Sequence, residues 1–188
     1  MSMIEIQGFS FALLGILLAI RQNKWNWVSY MISSVFYFFA FYNVQLIADA
    51  YLQIVFFVMG AVGFYNWNNP KYASLDAVSE LTKKQIIQYF ISFIGLGAMV
   101  IGYTSIYTAS DYPWWDGILT AASVIATIMA IRKKIENWYI WMVVDLAYIP
   151  LYLIKGYLLS GLLYGIYIVL AFLAYKEWKK HLHQKLPA

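Results

Sequence analysis

Apolar stretches of about 17 to 22 residues alternate with short polar or charged breaks along almost the whole chain. A helix needs about 20 such residues to cross the ~30 Å hydrocarbon core of a bilayer. The stretches lack two-residue alternation, which argues against a membrane β-barrel. The pattern therefore predicts an all-α integral membrane protein with seven transmembrane helices, near residues 6–20, 26–42, 47–66, 85–104, 115–131, 138–154 and 158–175.

Composition supports this prediction and excludes several classes of function. The chain is 63% hydrophobic and 12% charged, unlike a soluble globular domain. It has no cysteine, and both histidines lie in the C-terminal tail, so we expect no metal site. Without a glycine-rich phosphate loop or a nucleophile–base pair, we expect neither ATP-driven pumping nor catalytic residues, and no cofactor.

The net charge of +4 reflects membrane orientation rather than nucleic-acid binding. Twelve of the thirteen Lys and Arg residues fall in the breaks after the first, third and fifth helices and in the tail. The opposite side has only Lys155. Because basic loops stay in the cytoplasm, the N-terminus is predicted outside and the C-terminus inside.

The two halves of the chain match at a constant offset of 111 residues, with ten identities over roughly sixty positions. They pair Ala19, Ile20, Arg21, Asn26, Trp27, Met31, Tyr37, Leu52, Val58 and Trp67 with Ala130, Ile131, Arg132, Asn137, Trp138, Met142, Tyr148, Leu163, Val169 and Trp178. This predicts a duplicated three-helix bundle, and transporters place the substrate site where such halves meet.

Helix 4 would invert the chain so that both bundles are parallel, a 3+1+3 layout like that of the SWEET sugar facilitators. The predicted domains are a first bundle (1–67), a linker with the inverting helix (68–110), a second bundle (111–178) and a basic cytoplasmic tail (179–188). The linker is expected to include a short surface helix capped by Ser74 or Ser79.

One face of helix 6 carries the candidate chemistry. Helical spacing aligns Trp138, Trp141, Asp145, Tyr148 and Tyr152. A carboxylate within a membrane helix costs a few kcal/mol unless it faces a partner or a polar cavity. Asp145 could therefore hold a cationic ligand while the two indoles stack on its ring. The alternatives are a hydrogen bond from Asp145 to a neighbouring helix and an interfacial role for Trp138.

The first half has the corresponding stripe Trp27, Tyr30, Ser34, Tyr37 and Phe41, without the second Trp and the Asp. On helix 3, Gln53 and Asn66 are amides that could contact a ligand or bridge helices. The two halves thus share the aromatic positions but differ in their polar side chains. Such a difference suits a small asymmetric ligand.

Four segments carry a resemblance to a known family: residues 48–53, 63–67, 112–116 and the Glu136-Asn137-Trp138-x-x-Trp141-x-x-x-Asp145 run. Over its whole length the chain resembles the Pnu family of bacterial vitamin transporters. The resemblance implies a SWEET-like fold in the bacterial inner membrane and facilitated diffusion of an unphosphorylated vitamin, which a cytosolic kinase then traps. It implies substrate contacts from Trp138, Trp141, Asp145, Tyr148, Gln53, Tyr37 and Asn66.

The resemblance leaves the substrate open. Riboside carriers tend to have Asn at the position of Asp145, so the Asp looks more like the thiamine-carrying branch, PnuT. Thiamine is the expected substrate, with nicotinamide riboside or riboflavin as alternatives. Proton-coupled uptake through Asp145 and a ligand-sensing membrane scaffold are the other hypotheses. The sequence leaves both a monomer and a homo-oligomer open.

Overall fold

A computed structural model describes residues 3–43, 47–69, 78–107, 112–154 and 158–182, excluding the side chains of 47–49, 151, 152, 154 and 158–161. Within these residues it has seven helices, so the predicted number of helices is confirmed. They are α1 (Met3–Ile20), α2 (Trp25–Asn43), α3 (Ile47–Asn68), α4 (Lys83–Tyr107), α5 (Pro113–Ile131), α6 (Asn137–Ile154) and α7 (Leu158–His181).

The helices begin and end within a few residues of the predicted bounds, except that α7 continues six residues beyond 175 to His181. This extra length is polar. Glu177 accepts a 2.6 Å hydrogen bond from Lys180 three residues later, a spacing that pairs side chains along one helix face. The lysines of this last turn also interact favourably with the negative end of the helix dipole.

Four of the helices described are long and apolar enough to cross a membrane by composition: α1, residues 50–68 of α3, α4 and α5. In α2, Trp, Tyr, Ser and Asn residues lower the mean hydropathy of the helix. On α4 the apolar side chains point outward, and Ile91 is 64% exposed. Such a surface is stable against hydrocarbon rather than water.

The chain divides into two compact units, residues 1–77 and 78–188. In the first unit α2 packs against both α1 and α3. Hydroxyls on α2 join it to α1, because Ser29 donates to the carbonyl of Phe11 at 2.7 Å and Ser33 to that of Gly8 at 2.8 Å. Such bonds satisfy hydroxyls that would otherwise face hydrocarbon.

In the second unit each helix from α4 to α7 packs against the next. Small residues allow close approach: Ala121, Ala126, Ala171 and Ala174 are fully buried. Tyr89 of α4 forms an apolar cluster with Ile125 and Met129 of α5. The core of this unit therefore combines small alanine surfaces with larger apolar side chains such as Leu119, Ile131 and Trp178.

The segment before α4 is tied to the α5–α6 connection. The Ser79 amide donates to the Lys133 carbonyl at 3.2 Å, and the Ile135 amide donates to the Ser79 carbonyl at 3.1 Å. The Leu81 amide donates to the Glu136 carboxylate at 2.7 Å. The expected helix cap at Ser79 is wrong, because this extended pairing uses its backbone; Ser74 lies outside the described residues.

Thr82 caps α4 instead. Its hydroxyl accepts from the Gln85 amide at 3.3 Å, and the Gln85 side chain accepts from the Thr82 amide at 3.0 Å. This reciprocal arrangement is a capping box. It explains why α4 begins at Lys83 rather than at the predicted residue 85.

Thr82→Ala is therefore expected to lower the free energy of unfolding by about 1 kcal/mol, since one backbone donor of α4 loses its acceptor. Thermal unfolding in detergent would measure the change. Ser105→Ala, an exposed position near the other end of α4, is the matched control. Equal effects of the two substitutions would contradict a capping role for Thr82.

Candidate functional site

The described side chains of the stripe predicted on α6 lie on the face of that helix that is turned into the protein; the Tyr152 side chain is not among those described. Trp138 and Asp145 are buried, while Trp141 and Tyr148 are half-buried. On the opposite face Val143 is 66% exposed and Leu146 is 61% exposed. The burial pattern thus separates an aromatic and acidic face from an apolar outer face.

Asp145 is the residue of this face with the most distinctive environment. It is 6% exposed, and no hydrogen bond or ion pair reaches its carboxylate from the described part of the chain. A carboxylate held inside a membrane protein needs a partner, because an isolated buried charge is costly. The alternative of a hydrogen bond to a neighbouring helix therefore finds no support in these residues.

The Trp138 indole is fixed by α7. Its ring meets Trp178 edge to face, with ring centroids 5.2 Å apart and an interplanar angle of 89°. At 4% exposure, Trp138 does not have the water-facing position of an interfacial belt residue. Further along α6, Tyr148 stacks on Tyr164 of α7 with a distance of 4.8 Å between ring centroids. Two of the predicted residues are thus held by aromatic contacts with α7.

The first unit contains an aromatic pair of almost the same geometry. Trp27 meets Trp67 at 5.4 Å and 88°, and these residues are the sequence equivalents of Trp138 and Trp178. The Trp27 ring lies over Gly63, where an added Cβ would come within 2.4 Å of the ring. The identities at offset 111 include all four of these tryptophans. The sequence did not show, however, that Trp27 contacts Trp67 or that Trp138 contacts Trp178.

Two asparagines match each other at offset 111, but the sequence did not predict that both are buried. Asn26 and Asn137 precede the paired tryptophans and are almost inaccessible. Asn137 Nδ2 donates to the carbonyl of Lys134 at 2.6 Å, which anchors the start of α6 to the preceding turn. The Oδ1 atoms of both asparagines are buried without a hydrogen-bond donor among the described residues.

The remaining candidates, Tyr37, Gln53 and Asn66, lie in the first unit and are half-buried. Tyr37 stacks on Phe41 at 5.8 Å. Ser34, the sequence equivalent of Asp145, has the same 6% exposure. The first unit therefore presents a buried hydroxyl where the second presents a buried carboxylate.

No group of three or more His, Asp or Glu side chains with the spacing of a metal site occurs among the described residues. The acidic groups stand apart, with Asp145 alone on the inner face of α6. What this face can do chemically is attract a cation and stack on an aromatic ring.

Comparison with known proteins relates this arrangement to membrane transporters. The riboflavin/roseoflavin transporter RibM of Streptomyces davaonensis is 25% identical over 178 residues, covering 93% of this chain and 83% of that protein. The nicotinamide riboside transporter PnuC of Escherichia coli K12 is 23% identical over 200 residues, covering 93% and 82%.

A crystal structure of the vitamin B3 transporter PnuC has the same fold, with a TM-score of 0.77 at 19% identity. The match covers 95% of this chain and 81% of that one. The family described as nicotinamide mononucleotide transporter matches residues 2–180. Because that match spans nearly the whole chain, the predicted family is confirmed: the chain belongs to the PnuC family of transporters and is a multi-pass protein of the inner membrane.

Proposed function

We propose that this protein takes up an unphosphorylated, positively charged aromatic B vitamin, and that nicotinamide riboside is its substrate. The observation that carries the proposal is the buried Asp145 carboxylate, which has no partner among the described residues. A cationic ligand would supply the opposite charge. The similarity to the transporters RibM and PnuC supports the vitamin class.

The choice of vitamin differs from the expectation raised by the sequence. Asp145 resembles the thiamine-carrying branch of the family and so favours thiamine. The names of the relatives RibM and PnuC, however, give riboflavin and nicotinamide riboside as their substrates. Riboflavin is neutral and would gain little from a buried carboxylate. Nicotinamide riboside satisfies both the relatives and the charge, so it is the first proposal. Thiamine is the second, because its thiazolium is also cationic.

Within the proposed site each residue has a specific role. The Trp138 and Trp141 indoles would stack on the cationic ring, an interaction strengthened in a water-poor site. Asp145 would balance the positive charge, and Tyr148 would extend the aromatic wall. From the first unit we carry forward Tyr37 as an aromatic contact and the two amides, Gln53 and Asn66, as hydrogen-bonding groups.

We propose the transport mode of this chain from the energy-coupling motifs that its sequence contains. Its sequence contains no phosphate-binding loop, so we propose facilitated diffusion through two parallel three-helix repeats. The N-terminus would lie outside and the C-terminus in the cytoplasm, as the Lys and Arg distribution predicts. A cytosolic kinase would then phosphorylate the vitamin and prevent its return.

Uptake by vesicles containing the purified protein tests the proposal. Labelled nicotinamide riboside is expected to enter saturably and to reach the external concentration, whereas vesicles loaded with a riboside kinase and ATP should accumulate phosphorylated product. Unlabelled thiamine should compete more effectively than riboflavin, since it shares the positive charge. Protein-free vesicles and Trp141→Ala protein are the controls.

Three results would contradict parts of this proposal. Transport of riboflavin without nicotinamide riboside would overturn the cationic substrate. Accumulation driven by a pH gradient without kinase would favour proton coupling through Asp145. Saturable binding with no uptake of any of the three vitamins would favour a ligand-sensing scaffold.

A further inference from the structure

An open groove lies between α4 and α5 in the second unit, and none of its lining residues belongs to the proposed vitamin site. Its volume is about 560 Å³. Ile91, Ile125 and Ile128 form an apolar wall. Ile91 is 64% exposed on the outer surface of α4, so this side of the groove opens to the hydrocarbon of the membrane.

The polar end of the groove is formed by Arg132, directly after the last residue of α5. Gln88, Tyr89 and Ser92 of α4 also line the groove. The Arg132 guanidinium donates to the Tyr89 hydroxyl at 3.4 Å, which directs it towards α4. An arginine has five N–H donors, so most remain available to a ligand, and the Tyr89 hydroxyl can still donate its own proton.

The neighbouring lysine is already engaged. Lys134 Nζ donates to the Ser79 hydroxyl at 2.9 Å and to the Glu80 carbonyl at 3.1 Å. Partial burial also lowers the pKa of the Lys134 ammonium from its ordinary value. Among the residues that line the groove, Arg132 is the cation.

We propose that this groove binds an anionic phospholipid of the cytoplasmic leaflet. The phosphate would accept hydrogen bonds from Arg132 and the Tyr89 hydroxyl, and an acyl chain would lie along Ile91 and Ile128. Arg132 belongs to the side that the basic residues predict to be cytoplasmic, where anionic headgroups meet basic pockets between membrane helices. A free phosphate would satisfy the cation but leave the apolar wall uncovered.

Retention of phosphatidylglycerol by the purified full-length protein, followed by native mass spectrometry, tests this site. Arg132→Gln is expected to weaken binding about fivefold, as for the loss of one basic residue at an anionic surface. Arg21→Gln is the matched control, because Arg21 follows α1 at the equivalent position of the first unit and lies outside the groove. It should bind as the unaltered protein does.

A second variant separates the groove from charge alone. Ser92→Trp adds a bulky apolar side chain to the groove without altering net charge, and it is expected to reduce phosphatidylglycerol retention as well. Equal binding by the Arg132→Gln and Arg21→Gln proteins would overturn the proposal. So would unchanged retention in Ser92→Trp, equal retention of phosphatidylcholine, or displacement by inorganic phosphate at the lipid's own concentration.

Discussion

Asp145→Asn protein is expected to bind nicotinamide riboside or thiamine at least about thirtyfold more weakly than the unaltered protein. Removing one member of a buried charge pair typically costs about 2 kcal/mol or more, which corresponds to that ratio. Tryptophan fluorescence during titration measures the affinity, because Trp138 and Trp141 lie on the same face of α6 as Asp145. Riboflavin, which is neutral, should lose little affinity.

The same substitution is expected to stabilise the empty protein. Asp145 is buried without a partner among the described residues, and an amide in its place costs less to keep from water. The thermal midpoint without ligand should therefore rise while affinity falls. Opposite changes in stability and affinity mark a group kept for binding rather than for folding.

Asp116→Asn is the matched control, since it makes the same chemical change at a half-buried carboxylate in the first turn of α5. Affinity should be unchanged there, and stability should fall slightly because a negative charge near a helix N-terminus is favourable. If Asp145→Asn instead destabilises the protein and weakens charged and neutral ligands alike, Asp145 has a structural role.

The sequence predicted the helices well because their main determinant is local. Continuous apolar length fixes where a membrane helix can form, and charged breaks such as 21–24 and 132–136 end it. The face of α6 was also predictable, since helical spacing alone aligns Trp138, Trp141 and Asp145. The spacing showed which residues share a face, and only the structure showed that this face is turned inward.

Contacts between distant residues could not be predicted in this way. Pairing of Ser79 with Lys134 and the edge-to-face contact of Trp138 with Trp178 join residues 40 or more positions apart, and no local pattern specifies them. The offset of 111 did reveal which positions are equivalent. Since Trp67 and Trp178 are equivalent, a contact found in one unit can then be sought in the other, as the two indole pairs illustrate.

Substrate choice was the weakest sequence inference because it depended on one side chain. The carboxylate of Asp145 distinguishes cationic from neutral ligands, but thiamine and nicotinamide riboside are both cationic and aromatic. Nothing in the spacing of the α6 stripe distinguishes a thiazolium from a pyridinium ring. The relatives' activities therefore change the order of the candidates without changing the chemistry proposed for the site.

The close approach of α4 and α5 leads to the second large effect. A Cβ added at Gly117 would lie 2.4 Å from Ile101 Cγ1 and 2.9 Å from the Ile101 backbone nitrogen. The side chain could rotate away, but the backbone of α4 would have to shift. Gly117→Ala is therefore expected to destabilise the second unit by about 1–3 kcal/mol, the usual range for overpacking.

Gly102→Ala provides the matched comparison, because nothing lies within 4 Å of a Cβ added there although it belongs to the same pair of helices. Its thermal midpoint should equal or slightly exceed that of the unaltered protein, since alanine favours a helix more than glycine does. Gly117→Ala should lower the midpoint and, because Ile125 and Ile128 on the same helix would move, also reduce phosphatidylglycerol retention. If Gly117→Ala and Gly102→Ala have the same midpoint, the two helices are not in the tight contact described for them. In that case the groove formed by α4 and α5 would also lose its structural basis.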